Sequence, residues 1–98
     1  MGHFIITFRI KAGPDYQKRY DSLIEKIADI SIGNCWDETS AFYAIEAFGT
    51  AETICDELFF TTDISPEDKL LVIDVTNRTK SARGDLGQVD LLGACLGF

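Results

Sequence analysis

The chain has 98 residues, 46% of them hydrophobic and 26% charged, with a formal net charge of −7 at pH 7 and a pI of ≈ 4.4. That length suits one compact domain burying roughly 60–65% of its unfolded surface, and it excludes two independent cores. The acidic balance opposes loose electrostatic binding to nucleic acid, and no apolar run approaches the ~20 residues of a membrane-spanning helix.

Phe4-Ile5-Ile6-Thr7-Phe8-Arg9-Ile10 is rich in β-branched and aromatic residues and is closed by Gly13-Pro14. It predicts a central strand feeding a helix. Pro14 suits a first helical turn and Asp15 complements the positive helix end. From there Tyr16, Tyr20, Leu23, Ile24, Ile27 and Ile30 recur at steps of three and four, which predicts a helix to about Ile30 with Tyr16 and Tyr20 in the core. Arg19 falls with Gln17, Lys18 and Asp21 on its polar faces.

Gly33 breaks this pattern. Cys35-Trp36-Asp37-Glu38 and Ala41 to Ala47, joined around Thr39-Ser40, predict a hairpin. Thr50 can cap a second helix that carries Glu52 in its first turn and buries Ala51, Ile54, Cys55, Leu58 and Phe59. After a polar loop pinned by Ile64, Leu70 to Thr76 predicts another central strand, within which Asp74 needs a partner. The order is the ferredoxin-like β-α-β-β-α-β sandwich: an α+β fold with a four-stranded antiparallel sheet and two helices on one face. Ile5, Phe8, Leu23, Ile27, Ile54, Leu58, Leu71 and Ile73 are the expected core. Residues 1–84 make this domain; 85–98 form an apolar, glycine-punctuated tail expected to serve as an extra strand, as a dimer arm, or to remain partly disordered.

Several of these segments together resemble a known family. Phe4-Ile5-Ile6-Thr7-Phe8, Pro14-Asp15-Tyr16, Tyr20 with Leu23, Ser40-Ala41-Phe42-Tyr43, Thr50-Ala51 with Ile54, Asp56 and Leu58, and Asp68-Lys69-Leu70-Leu71-Val72 look like the SinR-like proteins. Those are small ferredoxin-like domains similar to the CRISPR-associated Cas-two family and to VapD ribonucleases, and the likeness covers residues 4 to about 84. In the nuclease relatives the first strand ends in a pair such as Tyr-Asp, whose Asp binds metal in the dimer. The aligned pair here is Phe8-Arg9, and a guanidinium cannot ligate a divalent cation. The resemblance therefore implies the fold and a homodimer, without the metal chemistry.

Other chemistry-bearing signals are sparse. Asp37, Glu38 and Glu46 are the acidic candidates for a metal, but adjacent strand residues point to opposite faces. His3 has no Ser or Cys at motif spacing, and Gly84-Asp85-Leu86-Gly87 lacks the length and the following Lys of a phosphate-binding loop. Cys35, Cys55 and Cys95 form no C-x-x-C pair, so reduced, mostly buried thiols are expected. Arg9, Lys11, Arg78, Lys80 and Arg83 are the candidate contacts for nucleic acid or another ligand. Met1-Gly2-His3 opens no export signal, which makes a cytosolic location the expectation. A non-catalytic homodimeric interaction or adaptor protein is the expected function, with a protein partner and neither cofactor nor membrane. The alternative is a metal-dependent nuclease or toxin-like ribonuclease, for which Asp74 and Asp37 are the substitute acids.

Overall fold

The computed structural model describes residues 1–98. Eight elements follow in the order β1 (Gly2–Arg9), α1 (Tyr16–Ile30), β2 (Cys35–Trp36), β3 (Phe42–Ala47), α2 (Ala51–Thr61), β4 (Lys69–Asp74), β5 (Thr79–Gly84) and α3 (Val89–Leu96). The strands form one open antiparallel sheet in the order β2-β3-β1-β4-β5. β1 is central, as its apolar run predicts. The fold is α+β, but the expected four strands and two helices are five and three. The additional strand comes from the basic segment after Asn77, within the domain rather than from the tail, and the tail is helical.

Alternation along β1 decides what each face does. Phe4, Ile6 and Phe8 join Leu23 and Ile27 of α1, Ile54 and Leu58 of α2, and Leu70 and Val72 of β4 in one buried cluster. Both helices thus cover the same face, and each of their buried Leu or Ile side chains contributes about 1.5–3 kcal/mol relative to exposure. Phe8 also meets Tyr20 edge-on at 6.0 Å and stacks on Tyr43 at 6.2 Å. α2 begins at a reciprocal cap. Thr53 N–H donates to Thr50 Oγ1 at 3.1 Å, and Thr50 N–H donates to Thr53 Oγ1 at 2.8 Å.

No helix of the main domain covers the opposite face. Ile5 lies between Ala44 and Ile73, Thr7 between Phe42 and Leu71, and Trp36 beside Ala44. Ile5 and Ile73, expected in the core, are only half-buried. Trp36 and Val75 remain 48% and 49% exposed. Tyr16 is likewise exposed, stacked on Tyr20 at the start of α1 instead of entering the core. Of the thiols only Cys55 is buried, and its burial pushes its pKa up to about 11; Cys35 and Cys95 are exposed.

The Asp74 carboxylate shapes the turn after β4. Asp74 accepts from Thr76 N–H and Asn77 N–H at 2.9 Å each and from Asn77 Nδ2 at 3.0 Å, which folds the β4–β5 hairpin turn. At the far end of that hairpin Gly84 has φ of 93°, and a Cβ there would lie 1.8 Å from the carbonyl oxygen of Asp68. Only glycine fits.

Candidate functional site

The five basic residues predicted as contacts do not converge. Arg9 ends β1 and shares the side of Ile5 and Thr7, so it stands at one end of the open sheet face, exposed. Lys11 lies just beyond, with Nζ 3.4 Å from Glu67 Oε2. Lys69, opposite Arg9 on β4, donates from Nζ to the carbonyl oxygen of Asp85. Arg9, Lys11 and Lys69 border a shallow cavity of about 300 Å³ together with Glu67 and Asp85. The acidic neighbours offset much of that local positive charge.

The remaining three lie elsewhere. Arg83 pairs with Leu70 across the sheet, hence on the helix side, where its Nη2 is 2.8 Å from Asp56 of α2 and its guanidinium lies 5.2 Å from the Phe60 ring centre. Arg78 sits in the β4–β5 turn with a left-handed φ of 57°. Lys80 pairs with Ile73 and therefore projects on the open face. Both cations hold the chain's last residues. Lys80 Nζ donates to the Phe98 oxygen at 2.6 Å, while Arg78 and Lys80 lie 5.1 and 5.7 Å from the Phe98 ring centre.

Beneath Lys11 is an ion pair that sequence reasoning missed. Asp68 is 1% exposed and Arg19 7% exposed. Arg19 Nη1 donates to Asp68 Oδ1 at 2.5 Å, Nη2 to the Lys11 carbonyl at 2.7 Å, and Nε to Asp15 at 3.1 Å. Asp68 also accepts from the N–H groups of Lys11 and Ser65 at 2.8 Å each. Burial alone would raise the Asp68 pKa, but the hydrogen bonds from Arg19, Ser65 and Lys11 outweigh it and hold the group below its ordinary value. The bond to Asp68 raises Arg19 in turn. The cluster ties the loop after β1 to α1 and to the loop before β4; both Asp68 oxygens are occupied, so its work is positional.

The acidic candidates are also engaged or apart. Asp74 is buried and spends both oxygens on its turn. Glu46 accepts from Asn34 N–H at 2.9 Å, and its carboxylate lies 3.9 Å from exposed His3. Asp37 and Glu38 are exposed beyond β2. No group of three or more His, Cys, Asp or Glu side chains is placed to hold a metal ion.

The broadest feature is the open sheet face itself. Along its β2 side runs a groove of about 620 Å³, lined by His3, Ile5, Trp36, Ala44, Glu46 and Val75 among others. No helix is long and apolar enough to cross a membrane. Comparison with known protein families, with curated proteins and with solved structures finds no match for this chain.

Proposed function

We propose that this chain is a ferredoxin-like, SinR-like protein of the cytosol that works as a non-catalytic homodimer, with the open sheet face as its contact surface. The observation that carries this reading is the apolar face centred on Ile5, Ala44, Phe42 and Ile73, which no helix of the main domain covers. Apolar groups at the centre of an open sheet are a recurring mark of a protein contact. The first four strands, in the order β2-β3-β1-β4, with both helices on one side, support the ferredoxin-like assignment; β5 then extends its β4 edge.

Arg9 supports the non-catalytic part of the reading, because it occupies the strand end where the resembled nucleases carry a metal-binding Asp. The substitute acid Asp74 is committed to a turn. Sedimentation equilibrium across a wide concentration range tests the dimer, which should appear as twice the chain mass. Incubation with single- and double-stranded RNA and DNA plus Mg²⁺ or Mn²⁺ tests the alternative. Chelator-sensitive cleavage that Asp74→Ala abolishes would establish a nuclease instead.

A further inference from the structure

We propose that residues 86–98 are an autoinhibitory strap that competes with a second copy of the chain for the open sheet face, with Arg78 and Lys80 gripping Phe98 as its latch. A strap of this kind presupposes the dimer proposed above. It is pinned on the open face at both ends. Leu86 shares a cavity of about 180 Å³ with Thr7, Arg9 and Leu71. Leu71 is only 9% exposed there, whereas its face neighbours Ile5 and Ile73 are half-buried. At the other end stand the hydrogen bond from Lys80 to the Phe98 oxygen at 2.6 Å and the two cations over the Phe98 ring.

Between the pins the strap is weakly held. No residue of α3 is buried, and Val89 and Leu91 are 51% and 55% exposed. Its N-terminus has no side-chain cap, Gln88 is left-handed, and Gly93 lies inside. A helix of eight residues with these features does not persist in water on its own, so its order depends on the pins. The Phe98 grip uses partly exposed cations, whose contacts are individually small and weakened by salt.

A second copy fits the uncovered face by charge as well as by apolarity. Asp37 and Glu38 follow β2 at one rim, and Glu46 projects on the open side near it; Arg78 and Lys80 mark the opposite rim. Two such faces stacked about a two-fold axis along the strands place each acidic rim over the partner's basic rim, a self-complementary contact. The latch residues are the same cations that this contact needs, and Leu86 of the strap borders the same cavity as Leu71 on that face. Strap and partner therefore exclude each other.

The test compares the full chain with Phe98→Ala, which leaves Arg78 and Lys80 in place. The variant should exchange its amide hydrogens faster over residues 89–96 and dimerise about tenfold more tightly, because a competing closed state is removed. Deletion of residues 86–98 should match or exceed that affinity. Unchanged exchange in Phe98→Ala overturns the latch. Faster exchange with an equal or weaker dimer, or a deletion that yields only monomer, overturns the competition and makes the tail a dimer arm or a bystander. If neither protein dimerises at any concentration, the dimer reading itself fails, an outcome distinct from an unaffected dimer.

Discussion

Asp68 and Asp74 are each 1% exposed, yet both stay ionised, because hydrogen-bond donors aimed at them outweigh the burial that would protonate them. For Asp74 those donors are Asn77 and Thr76. A folded pKa below the unfolded one means that the unfolded chain takes up protons first as the pH falls. The stability these two groups supply is thus complete above about pH 4, the unfolded carboxylate range, and is lost as the pH drops toward their lower folded values. Asp68→Asn should be less stable than the parent at pH 7, by about 1–3 kcal/mol, since it leaves the Arg19 guanidinium only the exposed Asp15 as an anion. It should also lose less stability between pH 5 and pH 3. Urea midpoints at the three pH values check both statements, and parallel acid slopes for the two proteins would refute the assignment. Ser31 Oγ, by contrast, is buried without a partner, a small cost that the end of α1 carries.

Thr50 illustrates how much of an element is written locally. A hydroxyl before an apolar-periodic run, with Glu52 in the first turn, marks the start of α2, and the cap found there is reciprocal with Thr53. Thr50→Ala should cost about 1 kcal/mol, read as a lower thermal midpoint with an unchanged fold by circular dichroism; Thr50→Ser should restore it. The same legibility holds for α1, β1, β3 and β4, whose periodicity is a direct product of burial on one side or two. β5 escaped because Thr79-Lys80-Ser81-Ala82-Arg83-Gly84 holds one apolar residue and is a strand through its ladder with β4. Its signal was the turn before it, where Asp74 and Asn77, both turn formers, bracket Val75-Thr76. The glycines of the tail hid α3 in the same way, since they lower the propensity of strand and helix alike. In the candidate site, Arg9 and Lys11 were readable as the end of β1. The Arg19–Asp68 pair was not, because the partners are 49 residues apart and each alone resembles a solvated surface charge.

The whole molecule is a sheet with unequal sides, and adjacent residues of β1 report on each. Ile6 is 0% exposed under α1 and α2, where truncation leaves a cavity that a close-packed core only partly fills. Ile5 points the other way, half-buried between Ala44 and Ile73, where shortening it removes contact area without hollowing the monomer. The two substitutions should therefore separate folding from association. Ile6→Ala should lower unfolding free energy by about 2–5 kcal/mol at protein concentrations too low for dimer, with no specific effect on self-association. Ile5→Ala should cost about 1 kcal/mol in the dilute monomer, yet raise the dissociation constant of the proposed dimer, because in that arrangement each copy would place the side chain at the centre of the buried face. Urea titrations at two protein concentrations, with sedimentation equilibrium on the same samples, distinguish these effects. An Ile5→Ala protein that associates as tightly as the parent would move the contact off this face, whereas an Ile6→Ala protein with an unchanged midpoint would contradict the helix-covered core.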